Sequence, residues 1–477
     1  AIRNLYKDSF YSSINIFGLS IGITTCLLIF LYINHELSYD KFHKDFDRIY
    51  RVTAKAKLAG SEMEMGSSSP PLADRLIHDI EEIESITRLQ LLHRVIKFED
   101  NIYREDDMLY ADSTFFNVFS FEVLQGDPNT MLVDPYSIVL TEETAIRYFG
   151  ETEIEYGNVL DQQLIINDEI YQVTGLLENV PENSHFSFDF LVSMSSTPEA
   201  ISPIWLNMSM YTYLKLRDGA DPKSLDDKFS DIVMTHLVPQ IIQFMKMPPE
   251  LLKDKESVRS FFQYGLQPIS SIHLNSELRA EIGINSDISY VYIFSAIALF
   301  IIVIACINFM NLATARGSKR ALEVGVRKSL GSSKKLLVWQ FLIESILFSF
   351  IAMIIALGLT EALKYPFSMI TGKILTFNIF EQPWMLSLTF GFALLVGLLA
   401  GSYPAFYLTR FKPVEVLKNL GRTGNSRSLF RNSLVVVQFA ISIGLIVCTI
   451  LVSKQMNYVS NMNLGFDKEN VIVIENA

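Results

Sequence analysis

Histidines and carboxylates that stand close together are the first residues to test for chemistry. His35, Glu36, Asp40 and His43 fall within the stretch HELSYDKFH. A zinc site needs three or four converging ligands, and this stretch lacks the i, i+4 histidine pair of HExxH. The remaining histidines are scattered, at His78, His93, His185, His236 and His273. We therefore interpret the stretch as polar residues beside a membrane and assign no metal ligand in it.

The sequence shows no motif for nucleophilic catalysis or nucleotide binding in the context that its chemistry needs. Its one GxSxG string, at 18–22, lies inside an apolar run and not on the strand-to-helix turn of a nucleophile elbow, and there is no GxxxxGK[ST] phosphate loop. Carboxylates are so numerous that no catalytic pair stands out. The cysteines form neither a CxxC motif nor a disulfide framework, since all lie in apolar runs, at Cys26, Cys306 and Cys448. The sequence gives no support for an enzyme, and we expect no catalytic residue, metal or cofactor on this chain.

The elements that carry any function here are largely membrane helices. Of the 477 residues, 49% are hydrophobic and only 19% are charged, whereas soluble proteins carry about a quarter charged residues. A membrane span needs about 20 mostly apolar residues. Five segments qualify, at 14–33, 290–315, 337–359, 384–408 and 434–452. The predicted fold class is an α-helical transmembrane bundle with a large α+β extracytoplasmic domain between the first two spans.

The charge distribution predicts the orientation of these spans. Residues 316–335 and 410–432 are rich in Lys and Arg, whereas residues 361–381 are balanced. Short basic loops stay in the cytosol, so the N-terminus and both basic loops are predicted inside and residues 35–287 outside. The external block carries a net charge of −22, against −12 for the whole chain. Such an acidic surface argues against nucleic acid as a partner.

The external block is predicted to mix strands and helices. Alternating apolar residues predict strands at 48–58, 137–140, 164–166, 170–177, 186–192 and 208–216, and an extended segment at 261–274. Turn residues at Asn167 and Asp168 predict a hairpin. Capping and periodicity predict helices at 72–80, 142–149 and 222–245, the last with a kink at Pro239.

The stretch between the second and third spans is the most informative part of the chain. Its pattern predicts a short basic helix at about Ser318–Leu330, a stop at Gly331 and a restart at the two following serines. Leu322 and Val326 share one face, so this helix should lie in the plane of the membrane interface. Glu344 falls inside the third span and should snorkel or pair with a cytosolic cation. Pro404 should kink or end the fourth span.

Two of these cytosolic segments resemble a known family. EVGVRKSLGSSKKLLVWQFLIES and GLLAGSYPAFYLTRFKPVEVL resemble permeases of the MacB/FtsX type of ABC transporter, and HELSYDKFHKDFDRIYRV resembles the MacB-type external domain. In that family a coupling helix between the second and third spans docks on a separate ATPase. The resemblance implies ATPase-coupling roles for Glu323, Val324, Gly325, Val326, Arg327 and Lys328. It also implies a second cytosolic contact at Pro413, Val414 and Glu415.

The resemblance carries further expectations about partners and function. It implies a cytosolic ABC ATPase that holds ATP and Mg²⁺, the lipid bilayer, and a second permease copy or a periplasmic adaptor as partners. It implies the bacterial inner membrane as the location and no cofactor on this chain. The expected function is mechanotransmission in an exporter or extractor of drugs, antimicrobial peptides or lipoprotein-like substrates. FtsX-like signalling to external cell-wall hydrolases is the alternative. A membrane-anchored enzyme is a third hypothesis, which a converging cluster of His and carboxylates would revive.

The predicted domain organisation has five parts. They are the cytosolic N-terminus with the first span (1–34), a MacB-like domain (35–287), an FtsX-like domain (288–420), a linker with the fifth span (421–453) and the start of a second external domain (454–477). Ser20-Ile21-Gly22 recurs as Ser442-Ile443-Gly444, which favours a two-unit permease that is truncated here. Close helix packing is expected at small residues four apart, Gly18 and Gly22 and likewise Gly397 and Gly401.

Overall fold

The computed structural model describes residues 9–58, 61–99, 101–151, 154, 157, 159–315, 317–373, 375, 383–410 and 425–462. Among these, residues 9, 58, 317–319, 321, 383 and 425–431 have no described side chain. The chain divides into two compact units, residues 33–292 and residues 1–32 with 293–477. We call residues 33–292 the external unit and residues 1–32 with 293–477 the membrane unit. Each unit is described by itself below.

The described residues form helices and strands that are numbered here in chain order. The helices are α1 (Ser9–Leu37), α2 (Leu72–Asp79), α3 (Phe115–Val118), α4 (Glu142–Phe149), α5 (Asp226–Ile232), α6 (Val238–Met245), α7 (Lys255–Phe261), α8 (Ile269–Asn275), α9 (Ile288–Ala315), α10 (Gly317–Ser329), α11 (Lys334–Thr371), α12 (Pro383–Leu408) and α13 (Asn425–Ser460). The strands are β1 (Ile49–Leu58), β2 (Ser61–Met65), β3 (Ile83–Phe98), β4 (Asn101–Ala111), β5 (Val123–Gln125), β6 (Ser137–Thr141), β7 (Gln163–Ile166), β8 (Glu169–Leu177), β9 (Phe190–Ser193), β10 (Tyr211–Leu216) and β11 (Phe262–Pro268).

Five of the helices are long and apolar enough to cross a membrane. They contain the segments Phe10–Leu37, Ile288–Ala315, Lys334–Thr371, Trp384–Leu408 and Asn432–Ser460, which confirms the five predicted spans. Pro404 lies inside α12, and this helix continues to Leu408. Pro404 therefore does not end the helix, and the other predicted alternative, a kink at Pro404, stays a prediction. A proline is tolerated inside a membrane helix when neighbouring groups satisfy the carbonyl that it frees.

The membrane unit has an apolar core formed by four of its helices. Leu19 of α1, Phe309 of α9, Phe348 of α11 and Ala400 of α12 belong to one buried cluster. Small residues are frequent at its centre, because close approach of backbones replaces the hydrophobic effect as the source of stability in lipid. The apolar window of α13 has no buried residue among the described part of the chain.

The external unit is organised around a mixed sheet of 11 strands in the described residues. The main strand order is β11-β1-β10-β3-β4-β9-β6-β8-β5, while β2 pairs with β1 and β7 pairs with β3 and β8. The pairs β4–β9 and β6–β8 are parallel, and the other pairs are antiparallel. Neighbouring residues of a strand point to opposite faces. Leu109 accordingly belongs to a phenylalanine-rich cluster, and Met108 to the cluster on the other face.

Most predicted elements of the external unit are confirmed, and two are corrected. The confirmed elements include β1, α2, α4, β6 and the β7–β8 hairpin. In this hairpin Asn167 and Asp168 have the positive φ angles, 52° and 66°, that a tight turn requires. The extended segment predicted at 261–274 is wrong in its second half, which forms α8. Of the strand predicted at 186–192, only the end falls in β9, because Phe186 and Phe188 pack into the phenylalanine-rich cluster.

Candidate functional site

The candidate site is the short helix α10 and the helix ends on which it packs. Leu330 N donates to the Val326 carbonyl, and Gly331 N to that of Lys328. Gly331 adopts a φ of 92°, which a glycine reaches without steric cost and which ends the helix. The Ser333 hydroxyl then accepts from Leu336 N and caps α11. The predicted stop and restart are confirmed.

Val324 anchors α10 to the membrane helices. Its side chain is buried in a small apolar cluster with Leu337 and Phe341 of α11 and with Ala405 and Leu408 of α12. The adjacent Gly325 is also buried. The helix is thus fixed to two neighbouring helices by the middle of its EVGVRK sequence.

The described cations of α10 are Arg320, Arg327 and Lys328, and they bind groups of the same unit. Arg320 donates to both carboxylate oxygens of Glu344, at 2.6 and 3.0 Å, and only 8% of the Glu344 side chain is exposed. This pair confirms that Glu344 is paired with a cation, whose predicted cytosolic side stays a prediction. A bidentate guanidinium–carboxylate pair fixes both orientation and distance.

The last two residues of EVGVRK, Arg327 and Lys328, also bind groups of the membrane unit. Arg327 donates to Gln340 Oε1 at 2.5 Å and forms an ion pair with Glu323 at 2.7 Å. Lys328 Nζ donates to the Thr409 carbonyl at 2.6 Å, just beyond the end of α12. A lysine at this position satisfies a carbonyl that the helix end leaves without a partner. These contacts hold α10 against α11 and α12.

The outer side of α10 is apolar. Leu322, Val326 and Leu330 are 52%, 44% and 81% exposed, and a spacing of four residues places them along one side of a helix. We call these three residues the outer ridge. The predicted shared face of Leu322 and Val326 is present, and Leu330 extends it.

Other predicted site residues are placed as follows. Pro413, Val414 and Glu415 lie outside the described residues. A Cβ atom on Gly22 would lie 2.8 Å from Ala305 Cβ, and one on Gly18 would lie 3.3 Å from Asn308 Nδ2. A Cβ on Gly397 would lie 2.7 Å from Ile346 Cα, and one on Gly401 would lie 2.6 Å from the Ser345 side chain.

The stretch HELSYDKFH contains buried residues, although its sequence predicts only polar residues beside a membrane. Glu36, Asp40 and His43 are buried in the external unit. Asp40 and His185 converge with Tyr213, yet the Asp40 and His185 side chains are fully buried, so this cluster offers a substrate no access. Among the described residues there is no group of three or more potential metal ligands. The missed signal was the density of ionisable and aromatic residues directly after a span.

Comparisons with known proteins give the class of the chain. Residues 12–232 match the model of the MacB-like periplasmic core domain, and residues 295–413 match that of the FtsX-like permease C-terminal domain. The chain is therefore an ABC transporter permease of the MacB/FtsX type.

The individual relatives are either distant in sequence or match only part of this chain. A macrolide export ATP-binding/permease protein MacB from Bdellovibrio bacteriovorus is 32% identical over 26% of this chain, and the match spans only 18% of that relative. The ABC transporter permease YvrN of Bacillus subtilis is 19% identical over 88% of this chain and 98% of its own length. A solved domain of a permease protein from Porphyromonas gingivalis is 24% identical, with a TM-score of 0.39 over 47% of this chain and 91% of that domain.

Proposed function

We propose that this chain is the permease subunit of an ABC exporter or extractor and couples a separate ATPase to motion of its external unit. The observation that carries the proposal is the two-sided character of α10. Its inner side is fastened to α11 and α12, and its outer side carries the exposed apolar ridge. A fastened helix with an unsatisfied apolar side is suited to receive a force from a docking protein.

The proposed partner is a cytosolic ABC ATPase. Relatives of this chain are named as ATP-binding/permease proteins, which supports a partner of this kind. ATP and Mg²⁺ would be bound by that subunit. Binding of ATP would favour one of two arrangements of the permease, as in any equilibrium that a ligand shifts. The outer ridge would make the apolar contact.

The proposed cargo is a drug, a peptide or a lipoprotein-like molecule. Relatives are named for the export of macrolides and of syringafactin, and those names describe those proteins. The proposed mechanism is mechanotransmission, in which the external unit moves and the cargo need not pass between the spans. FtsX-like control of external hydrolases would use the same site.

A charge placed on the outer ridge tests the coupling. The chain would be co-expressed with a candidate cytosolic ABC ATPase that it stimulates and reconstituted with it in lipid nanodiscs. Val326→Asp should lower permease-dependent ATP hydrolysis by about tenfold, because burying an unpaired carboxylate in an apolar contact costs more than 1.4 kcal/mol. Leu336→Asp, at an exposed position at the start of α11, is the matched control and should leave hydrolysis near the parent rate. Equal rates for Val326→Asp and the parent would refute the docking role of α10.

A further inference from the structure

Four residues in the last turn of α1 and just after it are buried in the external unit. Glu36, Tyr39, Asp40 and His43 are all nearly inaccessible to solvent. Burying an ionisable side chain is costly unless it is paired and hydrogen-bonded. The partners of these residues therefore indicate what the stretch does.

The first set of partners lies on the segment that returns to the second span. Glu36 Oε2 is 2.9 Å from Nε2 of His273, and both side chains are buried. The Tyr39 ring stacks on the His273 ring, with centroids 3.3 Å apart and planes 1° apart. His273 belongs to α8, which precedes α9. The segment that leaves the first span thus holds the segment that enters the second.

The second set of partners lies in the core of the sheet. Asp40 Oδ1 accepts from His185 N at 3.1 Å and is 2.8 Å from His185 Nδ1. Nε2 of His185 is 2.8 Å from the Tyr213 hydroxyl. The Asp40 backbone N–H donates to the Asn183 carbonyl at 2.8 Å. The leaving segment is therefore also fixed to the body of the unit.

The return segment is fixed to the same body through one arginine. Arg51 of β1 lies opposite Tyr213 of β10, and its side chain is fully buried. It forms an ion pair with Glu281 and donates to Ser276 Oγ at 3.0 Å. Both of these residues lie between α8 and α9. Tyr213 contacts the His185–Asp40 pair of the leaving segment, and Arg51 opposite it binds the return segment, so both segments are fixed at one place in the sheet.

We propose that Glu36, Tyr39, Asp40, His185, His273, Arg51 and Glu281 form a clasp that fixes the two membrane connections of the external unit to each other and to its sheet. These are positioning residues. Apolar surfaces tolerate sliding, whereas hydrogen bonds and ion pairs hold one geometry. With the clasp closed, a displacement of either connection moves the whole unit. This role in transmission rests on the proposed coupling to an ATPase.

A reversible cross-link tests the clasp in the full chain. The parent for this test is a chain with Cys26→Ser, Cys306→Ser and Cys448→Ser. The test variant adds Glu36→Cys and His273→Cys, and we call it the open variant. Both are placed in nanodiscs, and amide hydrogen exchange is followed in residues 276–287. The open variant should exchange there about tenfold faster than the parent, since the two cysteines remove both the Glu36–His273 contact and the stack of Tyr39 on His273 that hold this segment. A short bifunctional methanethiosulfonate should restore slow exchange, and dithiothreitol should reverse that effect.

Two controls separate the clasp from general damage. A monofunctional reagent of the same chemistry should not restore slow exchange. Lys55→Cys with Glu62→Cys opens a half-exposed ion pair between β1 and β2 and should leave residues 276–287 at the parent rate. If the clasp variant fails to insert, Tyr39→Leu replaces it, because this change removes the ring stack and no charge. Exchange within twofold of the parent, or no recovery on cross-linking, would overturn the clasp.

A second measurement keeps the clasp apart from the proposed function. In the complex with the ATPase, a non-hydrolysable ATP analogue should change hydrogen exchange in the external unit of the parent. The open variant should lose that response and the cross-linked variant should regain it. A parent without any response would refute the coupling to an ATPase. A parent that responds equally well with the clasp open would refute the transmission role.

Discussion

At the scale of single residues, the basic loop does two different things. Arg320, Arg327 and Lys328 bind Glu344, Gln340 and the Thr409 carbonyl within the membrane unit. Leu322 and Val326 of α10, with Leu330 directly after its end, stay exposed as the outer ridge. In the sequence, the cations of EVGVRK suggest a charged surface for a partner. In the fold, Arg327 and Lys328 instead bind groups of the membrane unit, and the exposed Val326 between them is apolar.

The pair of Arg320 and Glu344 gives the first prediction. Arg320→Met should lower the free energy of unfolding of the membrane unit by about 2–3 kcal/mol, less than for a fully buried pair because Arg320 keeps some contact with solvent. The loss arises because Glu344 is left buried without its partner. Arg320→Met with Glu344→Leu should recover most of it. The measurement is denaturant unfolding in detergent micelles, and a double variant no more stable than the single one would contradict the ion-pair account.

His43 gives a prediction about pH in the external unit. Burial lowers its pKa from the ordinary 6.5 to about 4, against the attraction of the nearby Asp40, which raises it. The unfolded chain takes up the proton near pH 6.5 and the folded chain only near pH 4, so folding is favoured above pH 6.5. That stability is lost as the pH falls from 6.5 to 4, and it amounts to at most about 3 kcal/mol.

The test compares His43→Gln with the parent. Glutamine supplies an acceptor for the Ser120 N–H, which donates to His43 Nδ1 at 3.1 Å, and it does not titrate. Limited proteolysis of the external unit between pH 7 and pH 4 measures its stability. The difference between variant and parent should change with pH over this interval, and a constant difference would rule out His43 as the cause.

At the scale of elements, the contact between α11 and α12 depends on missing side chains. A Cβ atom on Gly397 or Gly401 would meet α11 at 2.7 or 2.6 Å, closer than any real contact. Gly397→Ala or Gly401→Ala should therefore push these helices apart and cost about 1–3 kcal/mol.

Gly391 is the matched control for this change. It lies on the same helix, and a Cβ atom there would meet nothing within 4 Å. Gly391→Ala should leave stability at or above that of the parent, since alanine favours helix by about 1 kcal/mol. Thermal aggregation of the purified chain in detergent ranks the three variants. Equal midpoints for Gly401→Ala and Gly391→Ala would show that the packing does not depend on Gly401.

The elements also show which parts of the fold can be predicted from local sequence. The spans, β1, α4 and the β7–β8 hairpin follow from hydropathy, alternation and turn residues, which are local signals. The long strands β3 and β4 escaped prediction, because charged residues interrupt their alternation, as in HRVIKF and YREDD. Their pairing is set by a hairpin whose turn lacks a strong sequence signature.

The candidate sites divide in the same way. The position of α10 follows from its basic residues and Gly331, and the pairing of Glu344 follows from the cost of a charge in lipid. The partners of HELSYDKFH could not be predicted, since Asp40 meets His185 across 145 positions and Glu36 meets His273 across 237. Contacts over such separations depend on the register of the whole sheet, which no local pattern encodes.

At the scale of the whole molecule, the proposed function requires α10 and residues 35–287 to lie on opposite sides of the membrane. The Lys- and Arg-rich segments 316–335 and 410–432 support α10 in the cytosol, and residues 35–287, which one span separates from that side, are then expected outside. Single cysteines in a chain without native cysteines test this arrangement. Ile201→Cys reports on the external unit and Leu330→Cys on the end of α10, where the parent side chains are 87% and 81% exposed. In intact spheroplasts a membrane-impermeant maleimide should label the first variant only, and after lysis it should label both. Labelling of Leu330→Cys in intact spheroplasts would place the outer ridge outside, where no cytosolic ATPase can reach it. That result would refute the coupling proposal and leave the described fold of each unit unaffected.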